Sequence, residues 1–508
     1  MSRQPYLSAV NERVIVFDGA FGTFVQDLDL GPDDFGGASL EGCNEYLCIT
    51  RPDVIRQMHS AFLDVGVDVL ETASFGSFST VLSEYNISDK AYELNVEAAR
   101  LARETANDYE SSGKARYVAG SIGPGTKLPS LGHIRFTELR DAYVEQARGL
   151  IVGGADLFLI ETCMDLLQIK AAMIACRQAM VAEGRQIPIQ VQVTMETTGR
   201  MLVGSEIGAA LTAISAMKPD VFGINCATGP AEMQEHLRYL SQNASMPISV
   251  LPNAGLPSIV DGRTHYDLTP AELAKFHHHH VHDLGIGIVG GCCGTTPAHL
   301  KAVVDAVSGM AAPKRTPINE PSVASIYSSV PMVQDKSFLI IGERTNTNGS
   351  KAFRDAMIAG EWDNCSKIAT EQIREGAHVL DVCVDYVGRD GAIDMDEIAS
   401  RFATQASVPL VLDSTEPQVL EAGLMHIGGR AILNSANLED GEEVGCRMDR
   451  VFSLAREYGC AVICLLIDEK GQARDVEWKL EIAHRIHRIA VDRYGLSASD
   501  LIFDALTF

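Results

Sequence analysis

Ile286-Gly287-Ile288-Val289-Gly290, followed at once by Gly291-Cys292-Cys293-Gly294, is a short apolar run that stops in glycines and a pair of thiols. A run of this length bounded by glycine reads as a strand rather than a helix. Seven earlier runs have the same form. They are Val14-Ile15-Val16-Phe17 before Asp18, Asp68-Val69-Leu70-Glu71, Tyr117-Val118-Ala119-Gly120-Ser121, Leu157-Phe158-Leu159-Ile160-Glu161, Ile189-Gln190-Val191-Gln192-Val193, Val221-Phe222-Gly223-Ile224-Asn225 and Pro247-Ile248-Ser249-Val250-Leu251. Helical patterns such as 52–65 and 139–152 lie between them, each closed by glycine. Strands alternating with helices give a parallel sheet covered on both faces, and eight such units predict a (β/α)8 barrel. Its chemistry belongs at the carboxyl ends of the strands, where Asp18, Glu71, Glu161, Cys226 and Cys292-Cys293 fall.

The pattern breaks over 309–336, which carries Pro313, Pro317, Pro321 and Pro331 and reads as a linker. A second series follows: Phe338-Leu339-Ile340-Ile341-Gly342, Val379-Leu380-Asp381, Pro409-Leu410-Val411-Leu412-Asp413, Ala431-Ile432-Leu433-Asn434, Ala461-Val462-Ile463-Cys464-Leu465-Leu466 and Leu501-Ile502-Phe503-Asp504. The expected fold is therefore α/β, two consecutive (β/α)8 TIM-type barrels over 1–308 and 337–508. The second barrel reads as truncated at its C-terminal end by roughly two βα units.

Composition narrows the function classes. Lys and Arg number 42 against 67 Asp and Glu, a net charge of −25. That balance argues against a nucleic-acid or anionic-membrane partner. No apolar run is long enough to span a bilayer, and the Met1-Ser2-Arg3-Gln4-Pro5 start lacks the apolar core of a signal peptide. A cytoplasmic protein is expected, its 12 cysteines reduced.

Adjacent cysteines cannot close an unstrained disulfide with each other. Taken singly, a cysteine is most often a small buried apolar residue. Three at strand ends, two flanked by glycines that allow the turn, favour a metal instead. Soft thiolates suit zinc, and three protein ligands with an open position are the catalytic pattern. Such a site binds a further sulfur, lowering a substrate thiol from its free value of roughly 8.5 and holding it as thiolate. The product is then an alkylated sulfur. On the same rim Asp18 and Glu161 are placed to hold the ammonium of an amino-acid substrate, and the Gly19-Ala20 turn its carboxylate. For each acid the alternative is a helix N-cap.

These residues resemble a known family. Asp18-Gly19-Ala20-Phe21-Gly22-Thr23, Gly42-Cys43-Asn44-Glu45, Glu161-Thr162, Asn225-Cys226 and Gly290-Gly291-Cys292-Cys293-Gly294-Thr295-Thr296-Pro297 are similar to the homocysteine S-methyltransferase domain, from Val14 to about Val307. The resemblance implies zinc on Cys226, Cys292 and Cys293 with homocysteine sulfur as fourth ligand. In the family an asparagine lies near the metal without substrate, and Asn253 matches it. The second half resembles the pterin-binding barrel of cobalamin-dependent methionine synthase through Gly342-Glu343-Arg344-Thr345-Asn346, Asp381-Val382-Cys383-Val384-Asp385, Leu412-Asp413-Ser414, Leu433-Asn434-Ser435 and Phe503-Asp504. It implies a methyltetrahydrofolate site lined by Glu343, Asn346, Asp381, Asp413, Asn434, Asp468 and Asp504. Cys383 stands where the family often has asparagine and carries no role over.

The resemblance implies methyl transfer from 5-methyltetrahydrofolate to homocysteine, with cobalamin as carrier. No Asp-x-His-x-x-Gly motif for cobalamin occurs, so that cofactor is expected on a missing or separate module. Two other readings remain: a cobalamin-independent homocysteine methyltransferase with a sulfonium or betaine donor, and a zinc- and folate-binding assembly module without turnover. The His277-His278-His279-His280 run lies in a helical pattern that turns its members to different faces, which favours a packed or solvated helix over a second metal site. Cys43, Cys48, Cys460 and Cys464 read as structural.

Overall fold

Apolar residues on both faces of each strand in the first half demand cover on both sides. Leu157, Phe158, Leu159 and Ile160 accordingly are all buried. The computed structural model describes residues 3–110, 114–260 and 263–507; Met1, Ser2 and Phe508, on which the readings of the chain's start and end bear, lie outside the described residues. The first half contains β1 (Ile15–Val16), β2 (Val69–Glu71), β3 (Tyr117–Ile122), β4 (Leu157–Cys163), β5 (Ile189–Val193), β6 (Val221–Asn225), β7 (Ile248–Leu251), a hairpin β8 (Pro257–Val260) and β9 (Arg263–Tyr266), and β10 (Ile288–Val289). Eight of them form one parallel sheet in the order β1-β10-β7-β6-β5-β4-β3-β2, and a parallel bridge between Phe17 and Val69 joins its ends. Asp18 N–H donates to Val69 O at 3.0 Å and Asp68 N–H to Val16 O at 2.7 Å across that seam, while Phe17 N–H donates to Val289 O of β10 on the other side at 2.8 Å. The eight sequence runs and the eight barrel strands coincide.

The stretch read as a linker holds a hairpin, β11 (Ser322–Ala324) and β12 (Ser329–Pro331). The second sheet follows in the order β13 (Ile341–Gly342), β14 (Val379–Val382), β15 (Leu410–Asp413), β16 (Ile432–Ala436), β17 (Ala461–Leu465) and β20 (Leu501–Asp504), all parallel. A small hairpin, β18 (Ile467–Asp468) with β19 (Gly471–Gln472), leaves it after β17. Six strands make an incomplete barrel, as the sequence count gives. Its interior packs Val379, Val411, Ile432 and Ala461 against Val323 of the β11–β12 hairpin. The run beginning at Phe338 shortens to two strand residues, and Phe338 itself is 90% exposed.

Three residues tie the halves together. Lys170, fully buried, donates its ammonium to Gly429 O, and Tyr327 of the hairpin accepts Glu206 N–H of the first barrel on its carbonyl at 2.9 Å while its O–H donates to Thr404 O at 2.6 Å. Phe136 packs on Tyr458 with ring centroids 5.9 Å apart. No helix among the described residues is long and apolar enough to cross a membrane.

Candidate functional site

Cys226 leaves β6 with φ +59°, a left-handed turn that few side chains adopt. Its N–H donates to Leu251 O at 3.1 Å, Cys292 N–H donates to Pro252 O at 2.8 Å, and Ala254 N–H donates to Cys293 O at 2.9 Å. The segment after β7 thus stitches both thiol loops to one strut. Three sulfurs result with all pairs within 4.8 Å, and Cys226 Sγ stands 3.9 Å from Cys293 Sγ. A tetrahedral ion with metal–sulfur bonds of about 2.3 Å spaces its sulfurs about 3.8 Å apart. Cys293 is drawn well below the usual thiol range by hydrogen bonds from Cys226 and Cys292, while Cys292 is pushed up by the same bonding.

Glycine is required beside these thiols by close approach. A Cβ on Gly291 would lie 2.3 Å from Thr295 Oγ1, and one on Gly294 (φ +79°) would lie 2.4 Å from the Tyr266 ring. Tyr266, carried in by β9, lies beside Cys293 and helps to lower its thiol. Asn253 is 3% exposed, and its buried Oδ1 has no partner among the described residues.

Three carboxyls face the thiols. Glu161 accepts from Ser121 Oγ at 2.6 Å and from Asn225 Nδ2 at 3.1 Å, while Asn225 Oδ1 accepts from Thr162 N–H at 2.8 Å. Burial raises Glu161 to about 7, against the pull of the Ser121 hydrogen bond. Asp18 accepts from Glu71 N–H at 3.1 Å, and burial pushes both acids well above the usual carboxylate range, helped by repulsion from Glu161. Glu71 Oε1 is buried without a partner among the described residues. Of the sequence candidates the structure gathers Asp18, Glu161 and the three cysteines on one rim, with Gly19 and Ala20 in the turn after β1. Glu71, which the strand count already puts at this end of the barrel, joins them, and Ser121, Asn225 and Tyr266 do so without having been given a role.

The second rim is built around Asn346. Its Oδ1 accepts from Asn348 N–H at 2.8 Å, which turns Nδ2 toward Asp381 Oδ2 at 2.7 Å and Asp413 Oδ2 at 3.1 Å. Burial raises Asp381 to about 7 and Asp413 to about 6. Asp385, not among the expected contacts, accepts from Ser414 Oγ at 2.8 Å beside them. Asn434 pairs in register with Asp413 across β15 and β16. Glu343 is exposed after β13. Asp468 is already engaged, accepting from Trp478 Nε1 at 2.8 Å, and Asp504 is exposed and accepts from Leu506 N–H. Cys383 is buried beneath this rim, with Thr347 Oγ1 and Asn348 Nδ2 at 3.9 and 3.8 Å from its sulfur.

A pH dependence follows from Asp381. Its folded pKa lies above that of an unfolded aspartate, near 3.9. The folded state therefore holds the extra proton between pH 4 and about 7, and stability falls as pH rises through that window. Asp381→Asn is expected to flatten the fall in ligand-free Tm between pH 5 and pH 8 by a few degrees, on the order of 2 kcal/mol. Parallel pH profiles for wild type and variant would disprove it.

The helix Pro270–His282 turns His277 and His280 inward, where they are buried, and His278, His279 and His282 outward. Among the described residues the three cysteines are the one group with metal-ligand geometry.

The family model for homocysteine S-methyltransferase matches residues 15–307, and that for pterin binding enzyme matches 342–508. A methionine synthase of Mycobacterium tuberculosis (strain ATCC 25618 / H37Rv) is 51% identical over 502 residues, and one of Mycobacterium leprae (strain TN) is 50% identical over 507. Each alignment takes in 99% of this chain and 42% of the relative, so the chain spans less than half the length of the curated relatives it matches. Among solved structures, the oxidized form of the homocysteine methyltransferase MmuM from Escherichia coli aligns with TM-score 0.46 and 20% identity, over 57% of this chain and 95% of its own. With a match running from the first barrel strand through the helix that follows the paired cysteines, the chain belongs to the homocysteine S-methyltransferase family.

Proposed function

We propose that the first barrel binds homocysteine at a zinc ion held by Cys226, Cys292 and Cys293 and methylates its sulfur to give methionine. The second barrel then presents 5-methyltetrahydrofolate, and cobalamin on a further module carries the methyl group between them. One observation carries the reading: three converging thiols share a rim with three crowded carboxyls, two of them buried. The sulfur spacing fits a tetrahedral ion, and the unpartnered Asn253 Oδ1 offers a fourth donor when substrate is absent. Bound there, zinc would lower the pKa of the substrate thiol and keep it a thiolate at neutral pH.

The chain's own residues do the rest. Asp18, Glu71 and Glu161 are crowded enough to repel one another, and an ammonium group among them relieves that repulsion. Ser121 and Asn225 fix the Glu161 carboxyl so that it meets the amine in one orientation. Gly19 and Ala20 offer backbone N–H groups to the amino-acid carboxylate. In the second barrel Asp381 and Asp413, aimed by Asn346, suit the N–H edge of a pterin ring, with Glu343, Asn434, Asp468 and Asp504 around it. The resemblance to methionine synthases supports the donor, the carrier and the product alike.

The test is methionine formation from homocysteine and free methylcobalamin, before and after zinc removal by a chelator. Turnover that needs zinc and returns on its readdition is the expected result. A folded, zinc-loaded protein with no turnover would overturn the cobalamin route, and activity with a sulfonium donor instead would replace it.

A further inference from the structure

The histidine run takes no part in the chemistry above, yet its two buried members lie between the thiol loops. His277 Nε2 is 2.7 Å from Gly290 O, His277 Nδ1 is 3.4 Å from His280 Nδ1, and His280 Nε2 is 2.8 Å from Gln234 Nε2. A carbonyl oxygen can only accept, so the hydrogen of His277 sits on Nε2. The remaining assignments follow in turn. His277 Nδ1 accepts from His280 Nδ1–H, His280 Nε2 accepts from the Gln234 amide, and the same amide nitrogen donates to Pro230 O at 3.1 Å. Burial keeps both imidazoles neutral, lowering His277 to about 4 and His280 well below the ordinary range.

Each end of this chain of hydrogen bonds belongs to a thiol loop. Pro230 closes the turn that begins at Cys226, and Gly290 precedes Cys292 by two residues. The peptide between Gly290 and Gly291 is held on both edges, its carbonyl by His277 and its N–H by Asp18 O at 3.2 Å. With glycine on each side, that peptide would otherwise rotate with little steric resistance. Its plane sets the direction in which Cys292 departs from β10.

We infer that His277, backed by His280 and Gln234, is a positioning residue that fixes the Cys292-Cys293 loop against the Cys226 loop and thereby sets the metal affinity of the three-thiol site. This rests on the zinc-thiolate reading proposed above. The whole 508-residue chain is titrated with cobalt(II) alone, read by thiolate-to-cobalt charge-transfer absorption, and affinities are taken by chelator competition. His277→Leu is expected to bind about 10- to 100-fold more weakly, the usual cost of losing an outer-shell partner. His277→Gln keeps an N–H near the Nε2 position and is expected to recover most of the affinity. A folded His277→Leu protein with wild-type affinity and band overturns the inference. Should that variant not fold, Gln234→Leu decides in its place, weakened binding supporting the inference and wild-type binding overturning it. Failure of the zinc reading itself looks different: the wild type then gives no thiolate band, or a band that Cys226→Ser leaves unchanged, and the inference falls with it.

Discussion

Cys226→Ser is expected to leave the 508-residue chain with less than about a tenth of its wild-type zinc, because the ligand set proposed above then keeps two of the three sulfurs that converge there among the described residues. Serine is the variant to use because it keeps the size and polarity of the side chain while replacing the soft sulfur by a hard oxygen, and the backbone N–H bond of residue 226 to Leu251 O stays available. Loss of methyl transfer to homocysteine should exceed the about 10- to 100-fold typical of an outer-shell partner. Affinity for methyltetrahydrofolate should not change, because the contacts expected for it lie on the second sheet. Metal analysis and isothermal titration read the two halves separately. Full zinc content in the variant would refute the ligand assignment.

Arg430→Met is the substitution expected to cost most in stability. The guanidinium is 7% exposed and donates to Asp500 Oδ1 at 2.6 Å, Ser322 O at 2.9 Å and Gly459 O at 3.2 Å. The backbone of the same residue exchanges two hydrogen bonds with Ala324, at 2.8 and 3.1 Å. One residue thus joins the β11–β12 hairpin, β16 and the turn before β20. Methionine fills the volume but leaves Asp500 buried and unneutralised, and breaking a buried pair from one side costs about 3–5 kcal/mol. Adding Asp500→Leu should return more than half of that loss, because no lone charge then remains inside. Urea unfolding of both proteins measures it, and a single-variant loss under about 1 kcal/mol would show the pair to be solvated.

The strands were legible because most are short apolar runs that alternate with helical patterns, and a two-sided sheet leaves no other use for such a run. The β11–β12 hairpin was not. Its strands are three residues long, Pro331 sits in one of them, and no Asn-Gly or Asp-Gly marks the turn. Its place is set by Val323 filling the floor of the second sheet, a tertiary fact. The thiols stood out because few roles demand three of them at strand ends. Their supporting residues did not: Ser121 meets Glu161 because β3 and β4 pair Ser121 with Leu159, a register that no local pattern encodes. Arg430 was invisible for the same reason, and Glu71 was legible only as a strand end, not as a partner of Asp18. The histidine run was legible as a helix with diverging faces, but not as two buried rings that grip Gly290 O.

The hairpin that fills the floor of the second sheet also decides where this gene can be divided. A boundary drawn at residue 337 follows composition and severs Val323 from Val379, Val411, Ile432 and Ala461, leaving the inner walls of the carboxyl-terminal fragment bare to water. We infer a seam upstream of Ser322, with the hairpin still held to the first barrel by Glu206 N–H donating to Tyr327 O at 2.9 Å. Ile318 N–H still donates to Gln242 O of the first barrel at 2.8 Å, while Met332 N–H already returns to Pro321 O within the hairpin. In energetic terms the second folding unit begins before its first barrel strand, and the short stretch between Ile318 and Ser322 is the hinge of the chain's bookbinding, where one volume closes and the next opens.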